Sequence, residues 1–178
     1  VKGRENVLLQ SNQFDTTWVL SAASITSGHS GYDGTNNAWL LNKTGLYGQV
    51  NSNPSTSGVQ TYSVYAKAGS LNFLMLRYVT TSTLYHGTYF DLANGSVETE
   101  TSQIIKSKIT SVGNGWYRCS ITFNQSLNLV YVYAADSDGG IANGTTGSIY
   151  IQDAQVEQGL AASPYIPTTT TTAQAGVL

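Results

Sequence analysis

Charged side chains are scarce in this sequence: 8 Lys or Arg and 10 Asp or Glu make up 10% of its 178 residues, where about 25% is usual. The net charge is -2 and neither sign forms a block. A basic face that would grip phosphates non-specifically is therefore not expected, and neither is a nucleic-acid partner. Cys119 is the only cysteine, which leaves neither an internal disulfide framework nor a thiolate zinc cluster. His29 and His86 are the only histidines, so most imidazole-centred catalytic and metal schemes fail too. Apolar runs such as Phe73 to Leu76 fall far short of the ~20 residues that span a bilayer, and no membrane insertion is expected. No charged-then-apolar signal peptide is visible. The chain begins at Val1 rather than Met, which suggests a processed product or an excised domain whose export signal would be gone.

What fills the space is hydroxyl and amide. Serine and threonine number 20 and 22, with 18 Gly and 12 Tyr. These residues fall into alternating segments rather than a helical period. In residues 62–68, Tyr62, Val64, Ala66 and Ala68 share one face while Ser63, Tyr65 and Lys67 share the other, as a half-buried strand requires. Tyr117, Cys119, Ile121 and Phe123 form a second such face, opposite Trp116, Arg118, Ser120 and Thr122. Residues 127–133, with Leu127, Leu129, Tyr131 and Tyr133 on one side, and residues 148–156 repeat the pattern. One wet face and one dry face point to antiparallel strands.

Turn residues sit between these segments. Asn94-Gly95 is a pair that tolerates positive φ at both centres of a tight hairpin. Asp33-Gly34, Gly113-Asn114-Gly115 and Asp138-Gly139-Gly140 mark further turns. Strands of this length, rich in Tyr, Val, Ile and Thr, predict an all-β fold: an antiparallel β-sandwich of the jelly-roll kind or a barrel, about eight to ten strands, with little or no helix. After Pro167 comes a five-threonine run with no apolar alternation. Residues 1–167 read as the sandwich and residues 168–178 as a tail or linker.

Four segments carry a resemblance. The opening Arg4-Glu5-Asn6-Val7-Leu8-Leu9-Gln10-Ser11, followed by Phe14 and Trp18, resembles the start of a group of phage virion and tail-associated domains. Tyr32-Asp33-Gly34-Thr35-Asn36-Asn37-Ala38 is similar to their Pro-Asp-Gly-Thr turn, with Tyr32 where proline is usual. Residues Gly113 to Ile121 are similar to a Gly-Asn-Gly-Trp-Tyr-Arg-Cys-Ser-Ile block of the same domains, and Ile149 to Gly159, continued by Ser163-Pro164-Tyr165-Ile166-Pro167-Thr168, resembles their closing segment. The four occur in order and span nearly the whole chain. The resemblance implies a concanavalin-like or carbohydrate-binding-module-like jelly roll, without catalytic activity, in a tail fibre, tail spike or capsid-decorating protein. Its partners would then be other virion proteins or further copies of itself, as in a homotrimer, and host surface glycans; its place would be the virion surface. Related sugar-binding jelly rolls hold a structural calcium ion through acids of the first and last strands, which by position would be Asp15 and Asp153.

Searching the residues for chemistry leaves contact as the expected task. Cys119 falls on a dry face, where a thiol is inert. Glu98 and Glu100 share a strand face, as a glycosidase acid pair could, but lack tryptophan neighbours; an acidic edge strand that blocks sheet pairing is the stronger reading. Asp136-Ser137-Asp138-Gly139 resembles the start of a calcium loop, yet an EF-hand would need Glu where Gly147 stands. Sugar rings stack on aromatic faces, and Tyr32, Trp39, Tyr47, Tyr65, Tyr85 and Trp116 fall on polar faces or loops where such stacking could occur. Two alternatives to a virion adhesion domain are a carbohydrate-binding module of a secreted polysaccharide-degrading enzyme and a small glycan-cleaving enzyme.

Overall fold

Residues 4–175 are described by a computed structural model. The alternating segments become strands. In chain order these are β1 (Glu5–Asn6), β2 (Val19–Ser21), β3 (Ala23–His29), β4 (Ala38–Lys43), β5 (Gln49–Ser52), β6 (Val59–Ala68), β7 (Phe73–Thr80), β8 (Tyr85–Asp91), β9 (Ser96–Glu100), β10 (Lys106–Gly113), β11 (Trp116–Asn124), β12 (Leu127–Ala135), β13 (Gly147–Gln158) and β14 (Ala173–Gln174). Four of them, β1, β2, β5 and β14, are only two to four residues long. Such pieces are too short to display alternation, which is why the sequence predicts fewer strands. The helical content among the described residues is one 3-10 turn, Gly140–Ala142.

One six-stranded sheet runs β10-β11-β6-β13-β4-β3, and the other runs β2-β5-β12-β7-β8-β9. All pairings are antiparallel. Their inner faces meet in one core that includes Leu41, Val64, Leu76, Phe90, Cys119, Ile121, Phe123, Val132, Ile151 and Val156, closed at one end by Leu8, Phe14 and Trp18. This is the antiparallel β-sandwich expected from the alternation.

Two bulges reset that alternation. In β12 the register shifts between Leu127 and Leu129, so Leu127 joins the core while Leu129, Tyr131 and Tyr133 turn outward. In β13 it shifts between Gln152 and Gln155, with Asp153 at φ 52°. Ile149 and Ile151 before the bulge and Ala154 and Val156 after it all reach the core, while Asp153 itself is re-aimed.

The turns obey local chemistry. Asn114 and Gly115, at φ 55° and 80°, join β10 to β11 as the two-residue hairpin that needs left-handed backbone at both centres. The β8–β9 hairpin at Asn94-Gly95 is wider. Asp91 accepts hydrogen bonds from the Ala93 and Asn94 backbone N–H groups, which leaves only Gly95 left-handed, at φ 71°.

The first and last motif segments pack on each other. Asn6 donates to the carbonyls of Ala154 and Ile166 and accepts from Leu8 and Val156. Arg4 pairs with the buried Glu157 at 3.2 Å. The closing segment does not leave the domain at Pro167. Thr168 is buried, donates from its hydroxyl to the Leu8 carbonyl and from its backbone N–H to Ser11 Oγ; β14 then pairs with β1. Thr168 and Thr169 are thus held to the N-terminal segment although the run has no apolar face, while Thr170, Thr171 and Thr172 are exposed. The segment expected to be a tail or linker therefore touches the N-terminal segment at residues 168–169 and 173–175, and residues 176–178 lie outside the described residues.

Candidate functional site

Five of the six aromatic candidates divide between the two outer faces, and the sixth, Trp39, lies in the core. Tyr32, Tyr65 and Trp116 come together on the first sheet with Ala38, Tyr150 and Tyr165. Tyr32 stacks on Tyr65 at 3.7 Å with 5° between planes, and Trp116 meets Tyr32 edge-on at 6.2 Å. Trp116 is 2% exposed and Tyr65 9%, so neither presents a ring face to a ligand. The segment after β13 covers this part of the sheet, with Tyr165 sharing a 2.6 Å hydrogen bond with Ser11 Oγ. Trp39 points into the core, edge-on to Phe14 at 6.1 Å, and donates to the Asn12 carbonyl. Sequence reasoning offered these as surface aromatics; burial under a distant chain segment makes Trp39, Tyr65 and Trp116 packing residues.

Asp153 and Asp15, the calcium candidates, lie in different surroundings, one buried and one exposed. Asp153 is buried and accepts the Tyr32 hydroxyl at 2.7 Å. Desolvation pushes its pKa up to about 6, with the Tyr32 bond opposing and the Asp33 charge adding. Asp15 is exposed and bonds Thr16. Among the described residues no group of three or more His, Cys, Asp or Glu is placed to hold a metal ion. The 136–139 loop uses its acids internally: Asp136 accepts from Asn143 and Ser137, and Asp138 from Thr99.

Tyr47 and Tyr85 meet on the outer face of the second sheet. They are 49% and 52% exposed and flank a cleft of about 410 Å³ whose other lining residues are Gln49, Arg77, Tyr131 and Tyr133. Four strands build its floor in register. Gln49 of β5 lies opposite Tyr133 of β12, Tyr131 lies opposite Arg77 of β7, and Arg77 lies opposite Gly87 of β8. With no side chain at Gly87, the Arg77 guanidinium spreads over Tyr85 at 4.7 Å and Tyr133 at 5.6 Å. A Cβ at Gly87 would run into the Leu76 carbonyl oxygen.

The electrostatics of this cleft are those of neutral phenols around one cation. Burial raises the pKa of both Tyr131 and Tyr133, so their hydroxyls stay protonated at neutral pH. Arg77 Nη1 donates to Tyr133 Oη at 3.4 Å, and its Nε is buried without a hydrogen-bond partner. The ion pair described for this chain is Arg4 with Glu157, and Arg77 has no carboxylate partner among the described residues. The 3-10 turn rims the site, its Ile141 carbonyl accepting from the Tyr47 backbone N–H. Sequence reasoning found Tyr47 and Tyr85 but missed Gln49, Arg77, Tyr131 and Tyr133. The pairing of Tyr131 with Tyr133 on one strand face was the signal available.

Cys119, Glu98 and Glu100 line neither the tyrosine cleft nor the Tyr32, Tyr65 and Trp116 cluster. Cys119 is buried and its thiol pKa is pushed up by desolvation. Burial, and then the Arg77 charge, lowers the pKa of His86. Glu98 and Glu100 lie on β9, an edge strand of the second sheet, and accept from Ser96 and Ser107 respectively.

No family model matches this chain, and no curated protein matches it. Among solved structures, the chain is similar to the enzymatically active domain of tailspike protein 4 of bacteriophage CBA120, at TM-score 0.48 and 11% identity over 85% of this chain and 21% of that one. It is also similar to a point mutant of the family 29 carbohydrate-binding module CBM29-2, at TM-score 0.47 and 8% identity, with 87% and 91% of the two chains covered. A third similarity is to the CBM22-1-GH10 modules of Clostridium thermocellum xylanase 10B complexed with xylohexaose, at TM-score 0.48 and 13% identity, with 86% and 27% covered. The chain thus spans about a fifth of the tailspike chain and about a quarter of the xylanase chain.

Proposed function

We propose that this chain is a noncatalytic glycan-binding and adhesion module of a phage virion, displayed on the particle surface in a tail fibre, tail spike or capsid decoration. The observation that carries the glycan reading is the exposed Tyr47 and Tyr85 pair around Arg77. The C–H faces of a sugar ring pack on phenol rings, and its hydroxyls bond amide, guanidinium and phenol groups. Gln49, Arg77 and the tyrosine hydroxyls supply those groups in one cleft, and Arg77 has donors left for a ligand because no carboxylate among the described residues occupies them.

The virion setting rests on the four ordered motifs. Their residues close the sandwich: Asn6, Ser11, Glu157 and Thr168 tie the first and last described segments together. Such a domain would contact neighbouring virion proteins or copies of itself while the tyrosine face meets the glycan. The noncatalytic reading is supported by the placement of Glu98 and Glu100 on an edge strand and by the burial of Cys119. A carbohydrate-binding module of a secreted enzyme would use the same face, and the sequence adjoining the domain separates the two settings.

Affinity electrophoresis through gels containing neutral polysaccharides tests the site. The wild-type chain is expected to be retarded by at least one polysaccharide, and the Tyr47→Ala/Tyr85→Ala variant to run as in a blank gel. Equal retardation of both would overturn the assignment of the face; release of reducing ends by the wild type but not by Glu98→Gln would overturn the noncatalytic reading.

A further inference from the structure

A second surface, on the other sheet, gathers positive charge. The outward residues of β10 and β11 alternate in register, with Lys106 opposite Thr122, Lys108 opposite Ser120 and Thr110 opposite Arg118. Side chains opposite or diagonal in such a ladder lie about 5–8 Å apart. Lys106, Lys108 and Arg118 therefore converge on one groove of about 330 Å³, bounded on its far side by Leu160 and its neighbours. Three of the chain's 8 basic residues line it and none of its 10 acids does.

These cations make no ion pair among the described residues. Arg118 lies 5.1 Å from the centre of the Tyr65 ring and makes one 3.3 Å bond to Ser63 Oγ, while its Nε is buried without a partner. Asp153 senses the Arg118 charge but bonds Tyr32 instead. Lysines on an edge strand discourage sheet pairing; that purpose does not require them to share a groove with Arg118. The rim adds apolar surface, since Leu160 is 67% and Val112 40% exposed, and the floor adds the Thr110 and Ser120 hydroxyls.

The geometry points to a binding groove for an acidic polysaccharide, one whose sugar rings carry carboxylate or sulfate. The anionic group meets Lys106, Lys108 and Arg118, a ring face rests on Leu160 and Val112, and ring hydroxyls reach Thr110 and Ser120. Inorganic phosphate or a nucleic-acid backbone would use the cations but leave the apolar rim idle. The groove is on the opposite sheet from the tyrosine cleft and stands independent of it.

Isothermal titration of the full chain with oligogalacturonate, a chondroitin sulfate oligosaccharide, cellohexaose and a short DNA duplex tests this. At least one acidic oligosaccharide is expected to bind, more weakly as salt rises, and about tenfold more weakly to Lys106→Gln/Lys108→Gln as two rim charges are lost. Heat with oligogalacturonate shows that carboxylate suffices, and heat with chondroitin sulfate alone, which carries both anions, points to its sulfate. Arg118→Gln is expected to weaken the same binding, and Tyr47→Ala/Tyr85→Ala to leave it unchanged. Absence of heat with both acidic oligosaccharides, wild-type affinity in the double lysine variant, or DNA binding as tight as the acidic sugar would each overturn the proposal.

Discussion

Asp153 gives the fold a pH dependence of definite sign. Its carboxyl is buried at the β13 bulge and its pKa is pushed from 3.8 up to about 6, first by desolvation. Between those values the folded chain holds a proton that the unfolded chain has released, so stability falls as pH rises through the window. At 1.36 kcal/mol per pH unit, the loss is roughly 3 kcal/mol by pH 7. Asp153→Asn removes the charge at every pH, keeps an oxygen to accept the Tyr32 hydroxyl, and tolerates the left-handed backbone at φ 52°. Urea unfolding of both proteins, followed by tryptophan fluorescence from pH 3.5 to pH 8, measures the difference, and the titrations of all other acids cancel in it. The stability of the variant relative to wild type is expected to rise by roughly 3 kcal/mol between pH 4 and pH 7. A difference that does not change with pH, or one that moves in favour of the wild type, would refute the reasoning.

Truncation after Pro167 removes the Thr168 bonds to Leu8 and Ser11 and the Thr169 carbonyl that accepts from Gln10. At about 1 kcal/mol per bond the cost is roughly 3–4 kcal/mol, and thermal unfolding is expected to drop by roughly 10 °C; an unchanged midpoint would mean a dispensable tail. Gly115→Ala places a side chain at φ 80° in the β10–β11 turn and is expected to cost about 1–2 kcal/mol. Gly144→Ala, which meets open space, is expected to stay within about 0.5 kcal/mol of wild type by the same denaturation assay.

Local alternation was enough to identify the sandwich, because β6 and β11 turn Tyr62, Val64, Ala66, Cys119, Ile121 and Phe123 to the core at every second residue, although Thr61, Ser63 and Tyr65 on the outer face of β6 are buried as well. The bulges in β12 and β13 were not legible. Each adds one residue without altering composition, and only the partner strand's register reveals it. The same limit applies to the aromatics. Tyr65 and Trp116 lie on a face that alternation correctly marks as outward, but Tyr32 and the segment leading to Tyr165, from far along the chain, come to cover it. Tyr47 and Tyr85 stay exposed because no described segment lies over the second sheet at that point. Their companions come from β5, β7 and β12, which are neighbours in the sheet but not in sequence. Arg77 sits between Leu76 and Tyr78, two core residues, and no local pattern marks it as part of a site.

The account turns on whether the tyrosine face holds sugar. A glycan array probed with the full chain, with Tyr47→Ala/Tyr85→Ala, and with the full chain in EDTA measures this directly. Binding to a restricted set of glycans is expected, with loss of its neutral members in the double variant and no effect of EDTA on them, since the lining of the tyrosine cleft offers no carboxylate to a metal ion. An array on which the wild type binds nothing, or on which the double variant keeps every neutral glycan, would contradict it.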